Sequence, residues 1–241
     1  MARTLHDLNI QSSISSGEDD VATIIQRAET LGIDRIAICE YAHEIDDIDT
    51  LKNAIDATDT SIDVHPGVKI RADDDQELHN KLSQFRDEVD VVTVQGGDSD
   101  INRAACDDTR VDILSNPEFK RNDSGIDHVI AKKAHNNRVA IEINFGSVLK
   151  TYGKLRAQIM AHMRRNIRLA DKYEASLIIN SGARKIEEMR NPRDMVGLAV
   201  SLGMSLSDAF ETVEKTPARI LNRAKQTEKQ ERPGLERYDE S

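Results

Sequence analysis

The chain has 241 residues, and its 38% hydrophobic and 32% charged content is enough for one large α/β domain or two small ones. No apolar run approaches roughly 18 residues, the N-terminus has no apolar signal region and there is no CxxC pair, so we expect a soluble cytoplasmic protein without a membrane partner. The net charge of -10 argues, taken alone, against a nucleic-acid partner.

Short apolar segments rich in β-branched residues alternate with helical patterns along the chain. Seven segments predict strands, at Thr4–Ile10, Arg35–Cys39, Ile62–Val68, Val89–Val94, Asp112–Leu114, Val139–Asn144 and Ser176–Asn180. Helical patterns lie between them, at Gly17–Leu31, Ile126–His135 and Leu155–Lys172, and Pro192 starts a further helix that Gly203 ends.

This alternation predicts an α/β fold with a parallel sheet. About seven strand–helix units without a GxGxxG motif favour a TIM-like barrel over a doubly wound sheet. Residues 1–225 would form this single domain. The polar residues 226–241, which include Pro233 and Gly234, are predicted to be a disordered tail.

The charge is distributed unevenly along the chain. Residues 1–110 carry 10 Lys and Arg against 25 Asp and Glu, whereas residues 111–241 carry 23 against 18. The average charge is therefore a poor guide to any one face, and a nucleic-acid partner stays open. The bias towards 26 Asp over 17 Glu and 20 Arg over 13 Lys is typical of proteins from salt-loving archaea, although an ordinary acidic protein is the alternative.

The first forty-five residues resemble the opening of the PHP family of metal-dependent phosphoesterases, whose first strand carries Asp-x-His-x-His. Here Asn9 and Gln11 stand at the two histidine positions, Tyr41 replaces a histidine after the second strand, and Lys69 stands where a bridging Glu is usual. Amides bind divalent ions weakly and an ammonium repels them. We therefore predict a PHP-type barrel with no metal ligand and no catalytic residue, and an active PHP-type phosphoesterase is the alternative function.

A series of motifs follows further along the chain. These are VQGGD at 94–98, NRAAC at 102–106, LSNP at 114–117, GIDHVIAK at 125–132, NSGA at 180–183 and RNPRD at 190–194. In this order and spacing they resemble the ribonuclease P component 3 family of archaea, which is similar to the thirty-kilodalton subunit of the eukaryotic enzyme. The resemblance covers about residues 4–222, and Asn191 departs from the serine that is usual before Pro-Arg-Asp.

The resemblance implies a protein subunit of ribonuclease P, the ribonucleoprotein that removes the 5′ leader of precursor tRNA. In that enzyme the RNA subunit performs the hydrolysis with Mg²⁺, and this subunit supports the folding and Mg²⁺-dependent activity of that RNA. The implied partners are ribonuclease P RNA, protein component 2, the other protein subunits and, indirectly, precursor tRNA. The chain itself is expected to bind no cofactor and to be non-catalytic in isolation.

Basic side chains near strand ends are the candidate RNA contacts, because cations reduce the repulsion between phosphates and the guanidinium fork fits a phosphate. The predicted RNA-binding residues are Arg103, Lys120, Arg121, His128, Lys132, Arg184, Lys185 and Arg193, to which Lys69 and Arg71 could add. For a single surface Arg the alternative is a solvated side chain, and His128 could equally cap and pack its helix. A scaffold that binds only protein is a third functional class.

Overall fold

The computed structural model describes residues 3–231, and side chains as far as residue 224. Its centre is a sheet of seven parallel strands, paired in the order of the chain. The strands are β1 (His6–Ile10), β2 (Arg35–Tyr41), β3 (Asp63–Ile70), β4 (Val91–Gln95), β5 (Ile113–Ser115), β6 (Ala140–Asn144) and β7 (Leu177–Asn180). The predicted TIM-like barrel is confirmed, and the first residue of each strand lies within two positions of its predicted start.

Helices surround the sheet and connect its strands. They are α1 (Val21–Thr30), α2 (Asp49–Asp56), α3 (Asp75–Phe85), α4 (Ser99–Asp107), α5 (His128–Asn137), α6 (Phe145–Leu149), α7 (Gly153–Tyr173), α8 (Pro192–Ser201), α9 (Leu206–Glu211) and α10 (Lys215–Glu231). Asp20, Asp74, Asp98 and Asp127 cap α1, α3, α4 and α5 by accepting hydrogen bonds from first-turn amides. None of the helices in the described part of the chain is long and apolar enough to cross a membrane.

Side chains join the first and last strands where the barrel closes. The amide of Leu8 donates to Asn180 Oδ1 at 2.9 Å, and the amide of Ser181 donates to Asp7 Oδ1 at 3.1 Å. Asp7 is fully buried, and burial raises the pKa of its carboxyl group to about 7. We call this junction the β1–β7 seam.

The segment between α9 and α10 fills the lower part of the gap. The amide of His6 donates to the carbonyl of Val213 at 3.0 Å, and the amide of Ile179 donates to the carbonyl of Thr212 at 3.4 Å. These bonds satisfy backbone groups that would otherwise be unpaired at the two open strand edges. The gap between β1 and β7 is thus bridged along its length.

Helix α10 closes the N-terminal end of the barrel. Its Ile220 and Leu221 pack against the apolar side chains that fill the lower interior, which are Leu8, Ala37, Cys39, Val91, Ile113, Ala140 and Ile178. The fully buried Asp112, directly before β5, pairs with Arg223 of α10 and with Arg86 Nη1 at 2.5 Å. The opposite end, where the strands finish, is the end at which barrels of this kind carry their functional sites.

The predicted tail needs a correction at its start. Residues 226–231 belong to α10, whereas residues 232–241 lie outside the described residues. The sequence from 226 to 231, QTEKQE, is rich in good helix formers and contains neither Gly nor Pro, so it continues the helix that Ile220 and Leu221 anchor. Its polarity alone had suggested disorder.

Candidate functional site

A cavity of about 560 Å³ opens at the C-terminal ends of the strands, and we call it the barrel mouth. Buried polar side chains form its floor, among them Gln11, Lys69 and Asn144. Its rim consists of exposed residues of the loops and helices that follow the strands, namely Arg71, Phe119, Lys120, Lys150, Leu155 and Arg184. Its size is in the range of small-ligand sites in proteins.

Glu142 of β6 is the centre of the polar interior below this floor. Its carboxylate is 2% exposed and accepts hydrogen bonds from Asn9 Nδ2 at 2.8 Å, Asn180 Nδ2 at 2.8 Å, Asn144 Nδ2 at 3.0 Å and Ser115 Oγ at 2.5 Å. Four donors compensate the cost of burying this charge. Glu142 and Asn144 point into the barrel, as their alternation with Ile141 and Ile143 predicts.

The amide residues at the PHP ligand positions belong to this same network. Gln11 Nε2 donates to Asn9 Oδ1 at 2.9 Å, and the Asn9 amide nitrogen is bound to Glu142. Across residues 3–224, no three His, Cys, Asp or Glu side chains are grouped so that they could hold a metal ion. The donor set that a metal phosphoesterase needs is replaced by a closed network of amides around one carboxylate.

Glu40, at the end of β2, has a structural role at the edge of the mouth. It accepts hydrogen bonds from Ser12 Oγ at 2.5 Å, from the Ser12 amide at 3.1 Å and from Ser15 Oγ. Burial raises the pKa of its carboxyl group, and these hydrogen bonds partly oppose the rise. Glu40 therefore fastens the loop between β1 and α1 to the barrel.

The charge around the mouth is the reverse of the charge of the whole chain. Five cationic side chains line the cavity, Lys69, Arg71, Lys120, Lys150 and Arg184, against a single carboxylate, Glu44. Glu44 accepts a hydrogen bond from Ser16 Oγ at 2.5 Å and lies 3.4 Å from His43 Nε2. The mouth is thus a cationic site on a protein whose net charge is -10.

Two of the predicted RNA-binding residues meet at this rim. Lys120 has a left-handed backbone with φ of 56°, and its Nζ lies 5.2 Å from the ring centre of Phe119. Arg184 donates from Nε and Nη2 to the carbonyl of Ser16, at 2.9 and 2.5 Å. Its guanidinium is exposed and has no carboxylate partner among the described residues. The neighbouring Lys185 is half-buried and precedes a short 3-10 turn.

Arg121 lies beside the mouth but is already engaged. Its Nε and Nη2 bind the carboxylate of Asp123 at 2.6 and 2.9 Å, and its Nη1 donates to the carbonyl of Gly97 at 3.1 Å. The guanidinium and the Gly125 amide together lower the pKa of Asp123 to about 2. Arg121 therefore ties the loop after β5 to the loop after β4.

His128 and Lys132 lie together on α5, apart from the mouth. The His128 ring lies 6.4 Å from the ring of Tyr173, and Lys132 Nζ lies 5.6 Å from the same ring centre. Both side chains are exposed. His128 is the first residue of α5, directly after the N-cap Asp127. This place is compatible with RNA contact and with capping and packing of the helix.

Arg103 and Arg193 lie away from the mouth. Arg103 is on the outer face of α4, beside a shallow cavity that it shares with Asp75, Asp100, Asp107 and Asp108. Arg193 is exposed on the first turn of α8. The N-cap Asn191 donates to the carbonyl of Leu31 at 2.7 Å, and Leu31 follows α1 just before β2, so Arg193 lies towards the closed end of the barrel.

Sequence reasoning missed several residues of the mouth. Lys150 lies on the rim and pairs with Glu188 at 2.7 Å. Phe119 and Leu155 expose apolar surface there, at 48% and 56%. Phe119 could have been identified as a site residue because it is an aromatic residue in a loop after a strand. Leu155 lies in a predicted helix, and its sequence context gives no sign that it faces the mouth.

Comparisons with known proteins agree on one enzyme. A family model described as RNase P subunit p30 matches residues 4–229. Ribonuclease P protein component 3 of Methanothermobacter thermautotrophicus is 37% identical over 73% of this chain and 71% of that relative. A chain in the cryo-EM structure of archaeal ribonuclease P with mature tRNA superposes with a TM-score of 0.77 at 29% identity, and the match covers 97% of this chain and 98% of that one.

A more distant likeness concerns the fold alone. Histidinol phosphate phosphatase from Lactococcus lactis, solved with zinc, L-histidinol and phosphate, superposes with a TM-score of 0.53 at 10% identity, over 92% of this chain and 94% of that one. This similarity agrees with the PHP-type arrangement of strands.

Proposed function

The chain belongs to the RNase P subunit p30 family and is a protein subunit of ribonuclease P, and on this premise we propose that it contacts the RNA of that enzyme through its barrel mouth. The observation that carries the proposal is the concentration of five cations against one carboxylate at the mouth of a chain with a net charge of -10. Phosphates attract such a site whatever the base sequence.

The proposed role is to support the catalytic RNA. Folding an RNA active site brings phosphates together, and fixed guanidinium and ammonium groups reduce that repulsion where Mg²⁺ would otherwise be required. In this proposal the RNA uses the Mg²⁺ and performs the hydrolysis, and this chain binds no cofactor. The amide network around Glu142 supports that division, because it fills the place of a metal centre.

The same proposal extends to the partners and the place of action. The archaeal structure that this chain resembles contains ribonuclease P with mature tRNA. On this ground we include ribonuclease P RNA as a partner, and we further propose protein component 2, the other protein subunits and, indirectly, precursor tRNA. We also propose that this processing takes place in the cytoplasm of an archaeal cell.

A PHP-type phosphoesterase, the alternative function, lacks support in the geometry. Gln11 donates to Asn9, Asn9 donates to Glu142, and Lys69 adds a positive charge at the floor of the cavity. The structural similarity to histidinol phosphate phosphatase, at 10% identity, does not imply that this chain has the activity of that enzyme.

Salt-dependent RNA binding tests the proposal. We expect the Arg71→Ala/Lys120→Ala double variant to bind ribonuclease P RNA more weakly than the wild type, and the slope of log affinity against log salt to fall by about one for each lost phosphate contact. Lys172→Ala, which removes an exposed cation at the far end of α7, is the matched control. An unchanged affinity and slope in the double variant would contradict contact through the mouth.

A further inference from the structure

Lys69 places a buried ammonium group at the floor of the barrel mouth. The residue is 3% exposed, and its hydrogen bond to Asn9 Oδ1 is long, at 3.5 Å. The ring centre of Tyr41, the β2 residue in register with Lys69, lies 5.6 Å from Nζ. Within residues 3–224 no ion pair joins Lys69 to a carboxylate. A buried charge is costly unless an opposite charge compensates it.

The carboxylate of the amide network does not supply that compensation directly. Glu142 is already shared by four hydrogen-bond donors, and it reaches Lys69 only through the amide of Asn9. The ammonium is therefore left facing the cavity, which it lines together with the exposed Arg71 and Lys120. The cationic groups of Lys69, Arg71 and Lys120 therefore line the same cavity at different depths.

We propose that the barrel mouth is a binding site for a phosphate group, with Lys69 as the cation at its floor and Arg71 and Lys120 as cations at its rim. A phosphate supplies the missing counter-charge and accepts several charge-assisted hydrogen bonds at once. Phe119, beside Lys120, gives the remainder of a nucleotide an apolar wall. The phosphate can come from the bound RNA or from a free nucleotide, and for the RNA source the inference rests on the function proposed above.

Titration calorimetry of the purified chain with uridine 5′-monophosphate and with inorganic phosphate tests the site. We expect saturable binding to the wild type and to Lys172→Gln, and binding roughly 10- to 100-fold weaker to Lys69→Gln, the range for losing a hydrogen bond to a charged group. No saturable binding to the wild type, or equal binding to Lys69→Gln, would overturn the proposal.

A second measurement covers the case in which Lys69→Gln fails to fold. In wild-type protein labelled with ¹⁵N-lysine, the ammonium signal of Lys69, assigned with Lys69→Arg, should shift when phosphate is added, and that of Lys172 should not. A Lys69 signal that stays in place would also refute the site.

The complex with ribonuclease P RNA separates the two sources of phosphate. Loss of uridine 5′-monophosphate binding in the complex identifies the RNA as the source, and retained binding identifies a free nucleotide. Both results require the site to exist. RNA affinity is measured on the same samples. If the protein binds RNA but not phosphate, the phosphate site is refuted and the proposed function stands. If it binds phosphate but not RNA, the proposed function is refuted and the phosphate site stands.

Discussion

Asp7 is fully buried at the β1–β7 seam, and burial raises the pKa of its carboxyl group from 3.8 to about 7. The folded protein thus keeps this proton up to a higher pH than the unfolded chain does. As the pH rises from about 4 to 7, the unfolded state ionises first, and the free energy of unfolding falls. The stability that Asp7 contributes is fully present below the pKa of the unfolded state. It is lost as the pH rises through the pKa of the folded state.

We predict that Asp7→Asn makes the free energy of unfolding less dependent on pH between 5 and 8. The asparagine stays neutral and keeps the oxygen that accepts from the Ser181 amide, so at least about 1.4 kcal/mol of the wild-type decline should disappear. Denaturant unfolding of the wild type and of Asp7→Asn at both pH values measures this difference. Asp123, whose pKa is about 2, is ionised throughout this window, so Asp123→Asn is the control that should leave the slope unchanged.

Arg121 and Lys185 separate RNA contact from structural support. We predict that Arg121→Ala or Lys185→Ala weakens cleavage of precursor tRNA by the reconstituted enzyme, most at low Mg²⁺, without unfolding the barrel. The Arg121–Asp123 pair is partly exposed, so its loss should lower the free energy of unfolding by less than about 1 kcal/mol. Cleavage rates across a Mg²⁺ titration, with circular dichroism, measure both effects. Unchanged rates in both variants would remove these residues from the site.

Among the candidate site residues, the sequence could predict those at strand ends better than those on helices. Lys120 and Arg184 follow strands β5 and β7, and both line the mouth. Arg103 and Arg193 lie in equally suggestive motifs but on helices, where the direction of a side chain depends on the turn it occupies. The charge of a residue and its motif do not contain that information.

At the scale of elements, Asn102 connects the two loops that shape one side of the mouth. It is fully buried, its Nδ2 donates to the carbonyls of Pro117 at 3.0 Å and Gly125 at 2.7 Å, and its Oδ1 accepts from the Gly97 amide at 3.1 Å. In the NRAAC motif it is therefore Asn102, rather than the exposed Arg103, that organises the site. The segment it holds, residues 117–125, carries Lys120.

We predict that Asn102→Ala lowers the free energy of unfolding by about 2 to 4 kcal/mol, because it leaves two buried carbonyls and one amide without partners. Hydrogen exchange should accelerate in residues 117–125 and leave β1 to β3 protected. Arg103→Ala, one residue away and exposed, is the matched control and should change stability by less than about 0.5 kcal/mol. Equal effects of the two substitutions would contradict this role of Asn102.

Strands were predictable from the sequence because runs such as Val91–Val94 and Ala140–Ile143 are rich in β-branched residues and are buried on both faces of the sheet. Helices α2, α3 and α4 escaped prediction because many of their residues are acidic or amide side chains. Their positions depend on packing against the sheet, for example through Leu51, Leu78 and Ile101.

At the scale of the whole molecule, the two signs of charge occupy different faces. The surface between α3 and α4 presents Asp75, Asp100, Asp107 and Asp108, while the mouth presents five cations. Such a distribution orients a polyanion towards the mouth and repels it from the acidic face. The whole-chain charge of -10 therefore conceals the cationic surface through which we propose RNA contact.

The most direct test of the central claim is cleavage of precursor tRNA by ribonuclease P reconstituted with this subunit, measured across a Mg²⁺ titration. We predict that Arg71→Ala/Lys120→Ala raises the Mg²⁺ concentration needed for half-maximal rate several-fold and that saturating Mg²⁺ restores the rate, because the ions replace the lost cations. Lys172→Ala should follow the wild-type curve. Identical curves for the double variant and the wild type, with both proteins folded and assembled, would contradict an RNA-supporting role for the barrel mouth.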